Sequence, residues 1–544
     1  MTIQGKLVDI GARRIFPAEL VIRDKKIFSI RELTDHPDIP DIFICPGFID
    51  AHVHIESSML VPSEFARLAV IHGTIATVSD PHEIANVLGL EGVRFMIENG
   101  LQTPFYFYFG APSCVPATEF ETAGATLDAA AVETLLADPG IKCLSEMMNF
   151  PGVLHDDAEV HRKISSARKH DKPVDGHAPG LRGDDAKKYI GAGISTDHEC
   201  FTAGEAAEKL SLGMKILVRE GSAARNFEAL SELIPDNWQK MMFCSDDKHP
   251  DSLVHGHLNQ LCARAVAKNI DLFKVLQMAC LNPVDHYKLE TGRLRPGDSA
   301  DFILLRDLKN FEVVQTWLRG RLVAENGITR MDSIREVPHP NQFVCTPLIP
   351  EDFAFRAVPG PESAYRLPVI EAFDGQLITA KYNGAVIPVN GYWVSDPTAD
   401  ILKIVVVNRY KKSAIAKGFI KNFGLKLGAL ASSVAHDSHN IVAVGVTDQE
   451  LSMAVNAIIS EKGGISVSDG KQVKTLPLPV AGLMSTEDGF RVAEKYIILD
   501  GDAKKLGSTL QSPFMTLSFM ALLVTPHVKL SDLGLFDGDL FQII

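Results

Sequence analysis

The first 45 residues alternate apolar and polar positions, as in Gly5-Lys6-Leu7-Val8-Asp9-Ile10 and Glu19-Leu20-Val21-Ile22-Arg23. A period of two puts every second side chain on one face, so short strands joined by polar turns are predicted. The same texture returns at Asp301-Phe302-Ile303-Leu304-Leu305 and Val313-Val314-Gln315-Thr316-Trp317, after the turn Leu294-Arg295-Pro296-Gly297-Asp298. Two strand-rich flanks, 1–45 and 291–332, are therefore expected to pair into one small β domain.

Between them, over 46–290, short apolar runs alternate with stretches of helical period. Eight strand candidates end near His54, Asp80, Ala111, Glu146, His177, Asp197, Arg219 and Asp246, with helix-like stretches at 62–71, 90–98, 127–136 and 156–170. Repeated βα units predict a parallel sheet, and eight of them in about 250 residues predict a closed (β/α)8 TIM-type barrel. An open doubly wound sheet is the alternative, but it does not naturally place a polar residue at nearly every carboxyl end. Beyond 335, prolines cluster at Pro338, Pro340, Pro347, Pro350, Pro359 and Pro361, as in a linker. Strand-like runs at 404–407 and 440–446 and helix-like runs at 448–462 and 489–495 then predict a separate C-terminal α/β or α+β domain over 340–544.

Composition narrows the class. A chain of 544 residues is too long for one ordinary core. Hydrophobic residues at 46% and charged residues at 22% exclude wholesale disorder. The net charge of -14, from 68 acidic and 54 basic residues, argues against a nucleic-acid backbone as the main partner. No apolar run approaches the ~18–20 residues needed to span a bilayer, and the first residues lack the basic and apolar regions of a secretory signal. Eight cysteines with no CxxC pair read as reduced thiols, mostly in cores. A cytoplasmic enzyme of small molecules is expected, with no nucleic acid or membrane partner, assembling as a homo-oligomer such as a dimer.

The strand ends carry the chemistry. His52 and His54, at i and i+2 on a strand, point to one face, where a divalent metal could take both ring nitrogens at ~2.0–2.1 Å. Alone, the pair reads more readily as two unrelated polar residues near a strand end. Glu146, His177, His198 and Asp246 bring the tally to four imidazoles and two carboxylates at the rim where active sites of this fold sit. Imidazole mixed with carboxylate, without thiolate, suits zinc, manganese or iron.

The stretch Pro46-Gly47-Phe48-Ile49-Asp50-Ala51-His52-Val53-His54 resembles the opening signature of the amidohydrolase superfamily. Ser79-Asp80-Pro81-His82-Glu83-Ile84-Ala85-Asn86, Glu146-Met147-Met148-Asn149, Gly176-His177-Ala178-Pro179-Gly180, Thr196-Asp197-His198-Glu199 and Cys244-Ser245-Asp246-Asp247-Lys248-His249-Pro250 narrow the resemblance to the bacterial adenine deaminase family, along the whole chain. The resemblance implies hydrolysis of adenine to hypoxanthine and ammonia with two divalent metals, commonly Mn(II) or Fe(II), with Zn(II) as a further fit. Carried over by position, His52, His54 and Asp246 would hold one metal, His177 and His198 the other, and Glu146 would bridge them. Glu146 stands where many superfamily members carry a carboxylated lysine. Another amidohydrolase acting on a cyclic amide or an N-acyl group is the alternative, since the same barrel and metals would serve it.

Deaminating a purine adds hydroxide to an aromatic carbon with a poor leaving group. Water with a pKa of ~15.7 is too weak a nucleophile until a metal lowers that value to about 7, so a hydroxide bridging the metals would attack carbon 6. A ring nitrogen and the departing amine must then gain protons. Asp246 is the first candidate for the proton shuttle, and Asp80, His82 and Glu83 for a second acid–base group; Asp80-Pro81 could instead cap the next helix. Glu56 and Ser57 could touch substrate or cap a loop, and Arg225 could bond the purine or pair with an acid. Asp247 is expected to point away from Asp246, and His249, His255 and His257 to lie on the surface or in support. His436-Asp437-Ser438-His439-Asn440 reads either as a surface turn or as a flap over the barrel mouth.

Overall fold

Eight short strands form the centre of the molecule: Phe48–His54, Thr74–Ser79, Tyr106–Ala111, Ile141–Met147, Val174–Gly176, Thr196–Asp197, Lys215–Arg219 and Met241–Cys244. The computed structural model describes residues 1–33, 39–357 and 366–544; Pro359 and Pro361 of the expected linker lie outside them. The strands pair in parallel and in sequence order from first to fifth and from sixth to eighth. A bridge from Val174 to Ile194 joins the fifth to the sixth. Asp246–Asp247, just past the eighth strand, pairs with Val53 and His54 of the first. The ring is therefore closed, as eight βα repeats predict. Thr74–Ser79 is buried at every position, because helices cover the outside and packed side chains fill the inside.

Local chemistry sets the helix ends. Asp128 accepts from the Ala131 amide at 2.8 Å and starts Ala129–Leu136; Asp157 does the same for Ala158–Lys169 through Val160 at 2.9 Å. Both side chains satisfy amides that the first helical turn leaves free. Pro62–Ala69 passes into a short 3-10 turn, Val70–His72, and Gly73, with φ of 79°, turns the chain into the second strand. The eighth strand breaks at its end. Asp246 adopts φ of 54°, a left-handed conformation that aspartate tolerates better than most residues. The usual alternation of faces is lost there.

The flanks pair into one sheet of eight strands, in which Phe43–Cys45 lies between Thr2–Asp9 and Phe302–Leu305. It has its own apolar cluster, including Leu7, Leu20, Ile44 and Phe302.

The C-terminal part holds a second eight-stranded sheet, antiparallel except where Arg366–Ala372 meets Ala416–Lys421. It is thus α+β. Ile401–Val407 is buried at every position because both of its faces are covered. Val405 and Val407 pack on the helix Asp448–Glu461, while Leu402, Ile404 and Val406 join a core continuous with the barrel. The helix expected at 489–495 runs on to Lys505, since Tyr496, Leu499 and Ala503 continue its buried stripe. Across the junction the Thr122 amide donates to Asp532 at 2.8 Å and Asn440 donates to the Thr122 carbonyl at 2.9 Å.

Candidate metal centre and active site

The carboxyl ends of the barrel strands converge on one buried cluster. His52 Nε2, His54 Nε2 and Asp246 Oδ1 stand 3.2–3.4 Å apart. Glu146 reaches between two groups: its Oε1 lies 3.2 Å from His54 Nε2, and its Oε2 lies 2.9 Å from His177 Nδ1 and 3.1 Å from His198 Nε2. Donors about 2.1 Å from a common ion at ordinary coordination angles are themselves ~3.0–3.4 Å apart. The spacing and the donor types therefore fit a divalent ion on each side of Glu146, and all six side chains are buried. Gly176 permits the fifth and sixth strands to approach this closely, because a Cβ there would stand 2.4 Å from the Thr196 carbonyl.

The electrostatics follow from this crowding. Burial opposes charge on His54, but hydrogen bonds accepted by Asp246 and Glu146 outweigh it and raise its pKa well above 6.5. His198 is carried to about 9 against burial, chiefly by Glu146. Glu146 is held well below the ordinary carboxylate range despite burial, by His177, His198 and His54. Asp246 is likewise held low against burial, first by Arg219 and then by His52 and His54.

The second strand end supplies a polar wall. Asp80 accepts from the His82 amide at 3.1 Å with one oxygen and faces His82 Nδ1 at 3.1 Å with the other. It caps the helix and holds the imidazole at once. His82 lies 3.4 Å from Glu146 Oε1, 3.5 Å from Glu83 Oε1 and 3.6 Å from Asp437 Oδ1. Its pKa is raised well above 6.5, with Glu83 and Asp80 overcoming burial.

Residues 436–440 form a flap and not a surface turn. His436 Nδ1 and His439 Nε2 each hydrogen-bond one oxygen of Glu83. His439 Nδ1 accepts from the Ala435 amide at 3.1 Å, so its Nε2 carries the proton and donates to Glu83. That leaves His439 neutral, in keeping with burial lowering its pKa, and leaves it no lone pair for a metal. His436 is raised to about 9, with Glu83 and Asp247 outweighing burial. Its Nε2 has no hydrogen-bond partner and borders the central cavity. Met148, Leu377, Phe519 and Leu522 supply that cavity's apolar surface. Lys529 fixes two of these roof residues, donating to the carbonyls of Leu377 at 2.5 Å and Phe519 at 3.0 Å.

The remaining candidates separate. Asp247 lines the same cavity as Asp246, contrary to strand alternation, because of the left-handed turn at Asp246. Ser57 donates to Asp247 at 2.5 Å, and Glu56 accepts from the Ile84 amide at 3.3 Å; burial pushes the Glu56 pKa up to about 7. Arg225 lies apart, its guanidinium folded onto the carbonyls of Gly221 and Ser222. His255 is exposed, but His249 and His257 are buried, His249 against Tyr496 at 2.5 Å. Two residues with no role assigned from sequence complete the cluster. Glu199 stands 3.4 Å from His198 and 3.6 Å from His177. Arg219, fully buried, grips Glu199 with both terminal nitrogens and Asp246 Oδ2 at 2.7 Å. An arginine ending the apolar run Lys215–Arg219 was the available signal, since a buried guanidinium needs carboxylate partners.

The chain is 53% identical to an adenine deaminase of Sulfurovum sp. (strain NBC37-1), covering 100% of this chain and 99% of that one. It belongs to the adenine deaminase family. Adenine deaminases of Methanosarcina mazei and Salinibacter ruber are 50% and 52% identical, each with 98% of its length covered. The amidohydrolase family matches residues 43–323 and the adenine deaminase C-terminal domain residues 376–542. Among solved structures, the β-aspartyl dipeptidase of Fervidobacterium islandicum aligns at 16% identity and a TM-score of 0.46, over 61% of this chain and 99% of that one. Amidohydrolases use divalent metal, and the cluster around Glu146 has the donors to hold it.

Proposed function

We propose that this chain hydrolyses adenine to hypoxanthine and ammonia, with His52, His54 and Asp246 holding one divalent ion, His177 and His198 a second, and Glu146 between them. The observation that carries this reading is the split of Glu146, one oxygen toward His54 and the other toward His177 and His198. Manganese or iron suits the donor set, and zinc also fits it. Such ions supply Lewis acidity and a nucleophile at neutral pH.

The protein's own groups then divide the proton work. Asp246 takes the proton of the attacking water and passes it to the departing amine; with Arg219 on its other oxygen it is a weak base that gives the proton up readily. His82, between Asp80 and Glu83, delivers a proton to the ring nitrogen beside the reacting carbon and is reprotonated by the second proton of the water, released as the new oxygen on that carbon becomes a carbonyl. Glu83 is oriented by His436 and His439 from the C-terminal part, and the His436 Nε2–H turns toward the substrate. Asp247, steadied by Ser57, is the polar group next to the ring, and Glu56 supports this wall from behind. Leu377, Phe519 and Leu522 cover the flat faces of the purine and exclude water. Arg225 has no part in this arrangement. In this reading 46–290 carries the chemistry, 340–544 closes over it, and 1–45 with 291–332 braces the barrel. A cytoplasmic location belongs to the same proposal, supported by eight cysteines that are all free thiols.

Mn(II)-loaded protein given adenine should form hypoxanthine and ammonia in equal amounts. Turnover of a cyclic amide with none of adenine would overturn the reading.

A further inference from the structure

A second cavity, of about 330 Å³, lies on the outer side of the barrel wall, between the loops after the seventh and eighth strands and the helices Pro250–His255 and Leu258–Ala267. It shares no lining residue with the metal cluster's cavity. Lys248 lines its interior and is 8% exposed. Its ammonium makes no hydrogen bond and no ion pair with any described residue. Arg225 stands at the exposed rim and meets only backbone carbonyls, Gly221 at 3.0 Å and Ser222 at 3.2 Å.

The other charges were weighed. Arg264 is committed to Glu220 at 2.5 Å and to Glu228 at 2.7 Å, and Lys268 to Glu228 at 2.8 Å, so those groups neutralise one another. Asp251 also lines the cavity and has one buried oxygen with no partner. What remains is two cations, Lys248 and Arg225, against the single carboxylate of Asp251, which lies near enough to act on Lys248 but makes no hydrogen bond or ion pair with it. A buried ammonium that no anion contacts directly is unfavourable, and two cations against one carboxylate leave charge for one further anion to balance. Barrels of this type often bind phosphate at the loops after strands seven and eight, and 220–225 and 248–249 are those loops.

We propose that this cavity binds a phosphate group, with Lys248 beneath it and Arg225 closing on it from the rim. Arginine and lysine are the two residues that recognise phosphate best, one by a planar fork and the other as a point charge. Asp251 disfavours a second phosphate beside the first and accepts from a hydroxyl, on the phosphate itself or on an attached polyol. The shared chemistry is a single tetrahedral phosphate, free or as a monoester.

Calorimetric titration of the Mn(II)-loaded full-length protein with inorganic phosphate and with glycerol 3-phosphate tests this. Saturable binding of at least one is expected, weakened about tenfold or more by Arg225→Gln and by Lys248→Met. The same ligand should bind unchanged to His436→Gln, which alters the catalytic cavity. Tighter binding of the monoester assigns the organic phosphate, and tighter binding of inorganic phosphate assigns the free anion. If Lys248→Met does not fold, Arg225→Gln decides alone. No saturation by either ligand below ~10 mM, or unchanged affinity in Arg225→Gln, overturns the proposal.

Discussion

Glu146 illustrates what a single side chain can do when its two oxygens face different partners. It lowers the cost of crowding His54, His177 and His198 together, and with Asp246 beside His54 and Glu199 beside His177 it raises the pKa of all three imidazoles. Ligand nitrogens must shed their protons to take a metal. At pH 7 His198, carried to about 9, holds its proton in the stripped protein. Metal binding should therefore release protons at pH 7, the release should diminish toward pH 9, and affinity should climb across the same interval. Titration calorimetry of Mn(II) in buffers of different ionisation enthalpy measures this directly; heats independent of buffer at pH 7 would contradict it. The six ligand candidates were legible because each lies at or beside the carboxyl end of a strand candidate. Glu199 was not, because it follows His198 with no periodic signal of its own, and Arg219 offered only its burial. Asp247 was misread because strand alternation assumes ordinary backbone, and Asp246 is left-handed.

Two elements decide how the cluster is used. The eighth strand ends in a break that turns both Asp246 and Asp247 inward, and the flap at 436–440 brings imidazoles onto Glu83 from more than 350 residues away in sequence. Sequence pattern reveals a strand or a helix because neighbours in the chain share it; a contact of that separation leaves no local trace, so the flap could only be left beside the surface-turn reading. The flap carries its own expectation. His436→Gln should lower kcat for adenine by about 10–100-fold with metal content unchanged, the range typical of groups that orient a reactive residue. Freed from the His436 imidazolium, Glu83 should ionise at higher pH, so the acidic limb of the pH–rate profile should move upward. An unchanged kcat with an unchanged profile would show that the flap only packs against the barrel.

Across the whole molecule, the sheet of the C-terminal part is placed so that one face is closed by its own helix and the other merges with the barrel core. That merging is why Leu377, Phe519 and Leu522 can roof a site whose metal donors come entirely from the barrel. The closed ring and the paired flanks were readable from eight strand candidates, seven of them with polar ends, and from two stretches of alternation; the antiparallel order of the C-terminal sheet was not, because buried strands look alike whichever way they run. The proposed chemistry rests on two ions sharing Glu146. Metal-stripped protein should be titrated with Mn(II) while bound metal and hypoxanthine formation are followed together, for the wild type and for Glu146→Gln. Wild-type activity should reach its plateau at two ions per chain, and Glu146→Gln should fall short of two tightly bound ions and lose more than about 100-fold in rate. A wild-type plateau at one ion, or a Glu146→Gln protein with two ions and near-normal turnover, would contradict a bridged pair.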